Sequence, residues 1–286
     1  MKIGCRITYT SDSKNPRYTH NLEEKIQSFF DMGIHTCQLN IWDQNLFTDE
    51  SAEYIRKCLN NTGMELTGLW AGWSGPCEWN FNVGPQVLGL VPAAYRGIRL
   101  QELLNASAFA EKLGVTDMIT HVGFMPENPN DPDYTGTIGA LRKLCDVMKS
   151  RGQYFLFETG QETPTTLLRA IEDIGTDNVG INLDTGNLIG YGKANPVDAL
   201  DVIGKYVRNT HIKDALYPTC GDKLGKQVRV GDGKVDFYSL IKRLKELGYT
   251  GPLTIERENF GAEQLKDIIY TKSFLEDIKA QLSIED

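Results

Sequence analysis

The chain alternates eight times between a short apolar run and an amphipathic helical pattern, and this alternation constrains its fold more than any other feature. Short apolar runs bounded by turn residues are typical of buried parallel strands. The eight runs are residues 2–8, 35–41, 65–71, 117–123, 154–158, 180–184, 208–213 and 252–258. Eight strand–helix units predict an α/β fold of the closed parallel (β/α)8 barrel, or TIM barrel, class.

The segments between these runs carry helical spacing of apolar residues. They cover residues 22–33, 49–63, 97–114, 137–152, 163–175, 195–207 and 236–248, and a last one begins near residue 262. Four of them end on a glycine, which predicts left-handed caps at Gly33, Gly114, Gly152 and Gly248. No linker or shift in composition divides the 286 residues. We therefore predict a single domain over residues 1–286.

Composition and charge exclude several classes of partner. The formal net charge is −8, whereas proteins that bind nucleic acids usually carry a basic face. The first residues are charged or polar at Lys2 and Thr8, unlike a signal peptide, and no run approaches the roughly 20 apolar residues of a membrane span. The six cysteines form no C-x-x-C pair. We expect a cytoplasmic protein with a small-molecule substrate and no nucleic-acid or membrane partner, and a homo-oligomer is left open.

Four of the later runs end on side chains that bind metals: Glu158, Asp184, His211 and Glu256. Each gap between them holds one helix and its loops, so the four lie at the carboxyl ends of successive strands, where barrel active sites form. Three carboxylates gathered together repel one another unless a cation lies between them. The set predicts one divalent metal ion, Mn²⁺, Mg²⁺, Co²⁺ or Zn²⁺. Taken singly, each residue is explained as well by a strand cap or an ion pair.

The segments around these residues resemble the sugar isomerase and epimerase superfamily of xylose isomerase-like barrels, which includes D-tagatose and D-psicose 3-epimerases, inositol-catabolism isomerases and endonuclease IV. The resemblance rests on the ordered segments FETGQET, NLDTGN, THIKDA, GDGKVDF and LTIERE. It implies that the four residues bind one divalent metal and that Glu158 and Glu256 act as catalytic acid and base on opposite faces of the substrate. A metal chelated by a carbonyl and a neighbouring hydroxyl acidifies the intervening C–H and stabilises the enediolate. Return of the proton then gives an epimer or an isomer.

Three residues near the strand ends are candidates for substrate binding. Asn187 and His121 stand where relatives in the superfamily carry metal-binding histidines. We interpret both as substrate contacts, with a turn asparagine and a core histidine as the alternatives. Lys213 points to the same side as His211 and reaches either a substrate oxygen or a strand-end carboxylate. Asp214 either orients the imidazole of His211 or begins the next loop.

Two long connections follow strands and are expected to lie over the rim: residues 70–94 and 215–233. In the first, Trp70 and Trp73 offer an aromatic surface for a sugar ring, although single tryptophans are more often core residues. In the second, Arg229 is a candidate for binding a substrate phosphate, and a solvated basic patch shared with Lys223 and Lys226 is the alternative.

These observations predict a divalent-metal-dependent sugar isomerase or epimerase. A keto-sugar or inosose dehydratase is the alternative on the same site, because elimination begins with removal of the same proton. A non-catalytic sugar-binding barrel is the alternative from another class, since a fold by itself does not imply activity. Phosphodiester hydrolysis is disfavoured by the acidic charge, by only four histidines and by Asn187 in place of a histidine.

Overall fold

A computed structural model of the protein describes residues 1–11 and 22–285, and these residues form a closed parallel barrel. The barrel strands are β1 (Ile3–Tyr9), β2 (Thr36–Ile41), β3 (Glu65–Ala71), β4 (Asp117–Thr120), β5 (Tyr154–Glu158), β6 (Val179–Asp184), β7 (Val207–Ile212) and β10 (Leu253–Ile255). Strands adjacent in sequence pair in parallel around the barrel, and β10 pairs with β1 to close it. The predicted (β/α)8 barrel is confirmed.

Helices connect successive strands. Within the described ranges they are α1 (Leu22–Asp31), α2 (Asp49–Thr62), α3 (Gly84–Val87), α4 (Ala93–Leu113), α5 (Pro132–Ser150), α6 (Pro164–Ile174), α7 (Thr185–Gly190), α8 (Pro196–Ile203), α9 (Phe237–Glu246) and α10 (Gly261–Gln281). A two-stranded antiparallel sheet of β8 (Asp214–Ala215) and β9 (Gln227–Val228) lies in the loop after β7. The connections after β3 and after β6 depart from simple alternation, because they contain two helices each, α3 and α4 in the first and α7 and α8 in the second.

Local sequence signals explain where the helices begin and end. Thr48 caps α2 by accepting a hydrogen bond from the backbone N–H of Ser51. The predicted left-handed caps are confirmed, for example at Gly33 and Gly114, whose φ angles are 77° and 72°. The run predicted as strand 117–123 pairs only as far as Thr120. Beyond it, the carbonyl of Val122 accepts hydrogen bonds from the loop after β3, so these residues join a loop rather than the sheet.

The strands are buried on both faces, which explains why they are nearly continuous apolar runs. Every residue of β2 and β6 is buried. Inside the barrel, amides from three strands form a hydrogen-bonded group: the Nε2 of Gln38 donates to Oδ1 of Asn182 at 3.0 Å and to Oδ1 of Asn209 at 2.6 Å. This network fixes the orientation of the Gln38 amide, which contacts the site described below.

An ion pair between a buried carboxylate and a partly exposed guanidinium lies at the amino end of the barrel, opposite the four metal-binding candidates. The guanidinium of Arg208 donates through Nε and Nη2 to Oδ1 of Asp117 at 3.2 and 3.1 Å. The same guanidinium lies 3.5 Å from the centre of the Tyr154 ring. Each charged group at this end therefore has a direct partner.

The cysteines and the helices were each the subject of a prediction from the sequence. All six cysteines are free thiols, as the scattered spacing predicts. None of the helices in the described part of the chain is long and apolar enough to cross a membrane.

Candidate metal site and substrate cavity

The barrel brings together the four strand-end residues Glu158, Asp184, His211 and Glu256. All four are buried, and one potential ligand atom from each lies within 4.8 Å of the others. The Nδ1 atom of His211 is 2.8 Å from Oε1 of Glu158, 3.0 Å from Oε2 of Glu256 and 3.6 Å from Oδ2 of Asp184. Atoms bound to one ion at about 2.1 Å lie roughly 3 to 4 Å apart. The spacing therefore suits a single divalent cation.

Each carboxylate has one oxygen held by the protein. Oδ1 of Asp184 accepts the backbone N–H of Asn187 at 2.7 Å, so Asp184 is also the N-cap of α7. Oε1 of Glu256 is 2.7 Å from Nε of Arg6, and Oε2 of Glu158 accepts the indole N–H of Trp70.

The second oxygens of two of these carboxylates lack hydrogen bonds. Oδ2 of Asp184 and Oε2 of Glu256 are buried and have no hydrogen-bond partner in the described ranges; the 3.0 Å contact of Glu256 with His211 has ion-pair distance without hydrogen-bond geometry. Buried oxygens of this kind are costly unless a proton or cation satisfies them. The residues present therefore fit a divalent metal.

The imidazole of His211 is oriented by a residue of β2. Its Nε2 lies 2.8 Å from Oε1 of Gln38, whose amide nitrogen already donates to two asparagine oxygens. Because this amide oxygen can only accept, Nε2 carries a hydrogen, and Nδ1 is the ring nitrogen that faces the carboxylates and can hold either a proton or a metal ion. Orientation of a metal-binding histidine by a second hydrogen bond is usual in metal sites.

The ionisable groups of the cluster perturb one another strongly. Burial raises the pKa of Asp184 to about 7, against the effect of Lys213. Burial alone would lower the pKa of His211, but Glu256 and Glu158 raise it well above its usual range. The imidazole thus holds a proton among the carboxylates. A proton and a metal ion compete for the same Nδ1 lone pair.

Lys213 follows β7 directly and is buried beside the cluster. Its Nζ is 3.6 Å from both Oδ2 of Asp184 and Oε2 of Glu256, and 3.1 Å from Oε1 of Glu258. Burial lowers the pKa of Lys213, but Asp184 and Glu256 raise it well above its usual range. Lys213 is therefore a cation that offsets part of the carboxylate charge and has N–H donors at the cavity floor.

A cavity of about 590 Å³ opens over this cluster. One wall is aromatic and is formed by Trp42, Trp70, Trp79, His121 and Tyr191. The ring centres of Trp42 and Trp70 are 4.9 Å apart, and those of Trp79 and His121 are 5.1 Å apart. Such a wall suits the apolar face of a ring-shaped or polyol substrate.

Four of the five predicted substrate-binding residues line this cavity, namely Trp70, His121, Asn187 and Lys213. His121 also contacts the cluster, because its Nε2 is 3.3 Å from Oε2 of Glu158. Burial lowers the pKa of His121, which favours a neutral ring. The candidate substrate contacts therefore surround the two candidate catalytic glutamates.

Arg229, the fifth candidate, is not among the described residues that line the cavity. Its Nε is 3.1 Å from Oδ2 of Asp232, and its guanidinium lies 4.1 Å from the centre of the Tyr270 ring. Trp73 likewise packs behind the wall, against Trp42, with its ring centre 5.3 Å away. Contacts with nearby residues therefore explain the positions of both side chains, Arg229 and Trp73.

Asp214 organises a loop and does not contact His211. Its carboxylate accepts the backbone N–H groups of five residues, Ala215, Gly231, Gly233, Lys234 and Val235. The alternative that Asp214 begins the loop is therefore the one observed. The segment GDGKVDF owes its position to these hydrogen bonds.

The two long connections contribute to the rim, as expected from their length. The connection after β3 supplies Trp79, and the one after β7 supplies Leu224. Arg99 of α4 is fully buried and holds the first connection by donating to the carbonyls of Ser74, Pro76, Val87 and Gly89. This arginine gives an otherwise irregular segment a fixed course beside the cavity.

Several residues at the site were not identified from the sequence. Arg6 and Gln38 contact the metal-binding candidates directly, and Trp42 and Trp79 complete the wall. The sequence did contain a signal for Arg6 and Gln38. Each is a polar residue inside a strand whose neighbours are apolar, which in a barrel indicates a side chain that points inward.

The chain belongs to the xylose isomerase-like TIM barrel family, whose model matches residues 27–278. A solved structure of a xylose isomerase domain protein from Planctomyces limnophilus is 31% identical, superposes with a TM-score of 0.90 and shares 98% of each chain.

More distant structures show the same fold. A D-tagatose 3-epimerase-like protein is 19% identical with a TM-score of 0.69, over 99% of this chain and 98% of that one. A barrel protein of Mycobacterium smegmatis in complex with magnesium is 19% identical with a TM-score of 0.71, over 98% and 97% of the two chains.

Sequence comparison also finds inosose dehydratases. The enzyme of Lacticaseibacillus casei is 24% identical over 188 residues, which is 59% of this chain and 57% of the dehydratase. The chain thus spans less than two thirds of the length of the curated relatives that it matches. Proteins similar to this chain thus include some with epimerase names and some with dehydratase names.

Proposed function

We propose that the protein is a divalent-metal-dependent sugar isomerase or epimerase. One observation carries the proposal: three carboxylates and an imidazole direct one atom each to a common point, where the buried Oδ2 of Asp184 and Oε2 of Glu256 accept no hydrogen bond in the described part of the chain. The magnesium complex of a barrel with the same fold is consistent with it. A divalent cation held there would polarise a substrate carbonyl as a Lewis acid.

Glu158 and Glu256 are the proposed acid and base. Burial raises the pKa of Glu256, but Arg6 and Lys213 lower it well below its usual range. Glu256 is thus ionised and can accept a proton from a substrate carbon. Glu158 lies across His211 from it and is assigned the return of a proton, which it takes up from solvent because burial keeps His121 neutral. Groups on two sides of the substrate permit epimerisation or isomerisation.

The cavity walls would orient the substrate for this transfer. The indole rings offer a flat apolar surface, and Asn187 and Lys213 offer hydrogen bonds to hydroxyl or carbonyl oxygens. The carbohydrate class of the substrate rests on this combination of stacking surface and polar groups.

A dehydratase acting on an inosose or a keto-sugar is the second candidate. The relatives named inosose dehydratase favour it, and elimination requires the same proton removal followed by loss of a neighbouring hydroxyl. The two candidates differ in product. An epimer or isomer retains all its oxygens, whereas the dehydratase product lacks one molecule of water.

The experiment combines metal analysis with proton exchange. The purified protein is expected to contain about one divalent ion per chain or to be stabilised by added Mn²⁺. A panel of ketoses, ketose phosphates and inososes is then incubated in D₂O, and C–H exchange and products are followed by NMR. Absence of metal binding would contradict both enzymatic candidates. Metal and sugar binding without exchange of any C–H would favour the non-catalytic barrel.

A further inference from the structure

The cavity is lined by four cations of the described chain, and one of them lacks a carboxylate partner. The other three each contact an acid, as Arg6 does with Glu256, Lys213 with Glu258 and Arg257 with Asp267. Lys25 of α1 forms no ion pair with a carboxylate of residues 1–11 and 22–285, and none of these carboxylates raises its pKa. It lines the cavity near Cys5 and Arg6 of β1.

The surroundings of Lys25 make an unpaired cation unfavourable. The lysine is half-buried, and burial lowers its pKa, as does the like charge of Arg6. Cys5 does not offset the charge, because burial raises the pKa of its thiol to about 12 and keeps it neutral. The apolar side chains of Phe29 and Ile268 also line the cavity. An anion placed here would interact strongly, since the site is only partly accessible to water.

We propose that Lys25 binds an anionic group of the substrate, a carboxylate or a phosphate, at the β1–α1 side of the cavity. This inference rests on the proposed function and adds to it the charge class of the substrate. The whole protein carries a net charge of −8, so a cation in the cavity that no described carboxylate pairs with is the feature that can select such a ligand. Lys25 would act in specificity and positioning rather than in proton transfer.

The test uses two simple anions with the Mg²⁺-loaded full chain. Binding of inorganic phosphate and of malonate is measured by titration calorimetry for the wild type, Lys25→Gln and the matched control Lys57→Gln, an exposed lysine of α2. Coordination of either anion by Mg²⁺ contributes equally in all three proteins. It therefore cancels when their affinities are compared. We expect at least one anion to bind about tenfold more weakly to Lys25→Gln and unchanged to Lys57→Gln. The anion whose binding is weakened more by Lys25→Gln identifies the anionic group of the substrate as a phosphate or a carboxylate.

Equal binding to all three proteins, or no binding to the wild type, would overturn the inference. Thermal unfolding distinguishes a merely structural lysine. Removal of an unpaired half-buried charge should leave the melting temperature of Lys25→Gln unchanged or raised, whereas a structural role would lower it. The proposed function is tested separately by C–H exchange. Exchange of a neutral ketose at the wild-type rate in Lys25→Gln, with no loss of anion binding, would overturn only the role of Lys25.

Discussion

The two ends of the barrel contain similar ionisable groups in different arrangements. At the amino end, Arg208 and Asp117 form one direct pair, and Tyr154 covers the guanidinium. At the carboxyl end, three carboxylates surround the imidazole of His211, and buried oxygens of Asp184 and Glu256 lack hydrogen bonds within the described residues.

The difference separates groups that stabilise the fold from groups prepared for a ligand. A paired charge at the amino end has its favourable interaction already in the folded chain. The carboxyl-end cluster gains a comparable interaction only when a cation binds. Changes at the two ends should therefore affect different properties, and the following predictions test this in order of decreasing effect.

The largest effect is expected on catalysis at the carboxyl end. Glu158→Gln and Glu256→Gln should each reduce C–H exchange about 10³-fold, because each removes an acid–base group while keeping its shape. Exchange is measured by NMR in D₂O with a substrate from the ligand panel. The exposed Glu276→Gln serves as the control and should match the wild type. Exchange within tenfold of the wild type in either variant would contradict the assignment.

The second prediction concerns Glu162, in the loop after β5. Both its carboxyl oxygens are buried without a partner in the part of the chain described, and burial raises its pKa from 4.5 to about 8. The folded protein therefore binds this proton more tightly than the unfolded chain. Its contribution to stability is complete below about pH 4.5 and is lost as the pH rises through about 8.

Glu162→Gln should remove this dependence. The free energy of unfolding of the variant, relative to the wild type, should increase between these pH values with a slope of up to about 1.4 kcal/mol per pH unit. Urea unfolding at several pH values measures it, and the exposed Glu172→Gln is the control. Parallel curves for the wild type and Glu162→Gln would be inconsistent with the buried neutral carboxyl.

The third prediction is that metal binding stabilises the protein and releases protons. Mn²⁺ at 100 times its dissociation constant should add about 2.7 kcal/mol to the free energy of unfolding. Because the pKa of His211 is raised well above its usual range and that of Asp184 to about 7, binding at pH 7 should release about one to two protons. Calorimetry in buffers of different ionisation enthalpy measures the release.

Asp184→Asn is the matched variant for this experiment. Asparagine retains an oxygen that can cap α7 but removes the charge, so the fold should persist and Mn²⁺ stabilisation should be lost. Full Mn²⁺ stabilisation of Asp184→Asn would exclude this residue as a ligand.

The smallest of these effects is expected at the amino end, and on stability alone. Arg208→Met should lower the free energy of unfolding by about 2 kcal/mol, because Asp117 remains buried without its cation while Arg208 is itself partly exposed. Metal binding and C–H exchange should be unchanged. Arg243→Met, at the exposed pair with Asp201, should lower the free energy of unfolding by less than Arg208→Met does, because solvent screens the pair. Loss of metal binding in Arg208→Met would show that the two ends are coupled.

Periodicity predicted the barrel and the order of its elements, because each strand and helix is specified by residues close together in the chain. It was less successful at boundaries. Residues 121–123 continue the apolar run after β4, but their backbone hydrogen bonds go to the loop after β3. That partner lies about 30 residues away, and no local pattern indicates it.

The residues of the site also differ in whether a local pattern or a distant contact sets their position. Glu158 and His211 could be predicted because they end strands and share a rim in any parallel barrel. Trp79 could not, since its place in the wall depends on a loop held by Arg99. Arg229, selected as a basic residue in a rim loop, forms a local pair with Asp232. Loop side chains have no periodicity that would show their direction.

The sequence by itself determined the eight-unit alternation and the order of the four metal-binding candidates, because both depend on local spacing. Only the tertiary structure decided which oxygen of each carboxylate faces the common point and which residues hold the other. Closure of the barrel pairs Cys5 of β1 with Ile255 of β10, which places Arg6 beside Glu256. A contact between the two ends of a chain arises from the closed geometry of the sheet, and no local pattern encodes it.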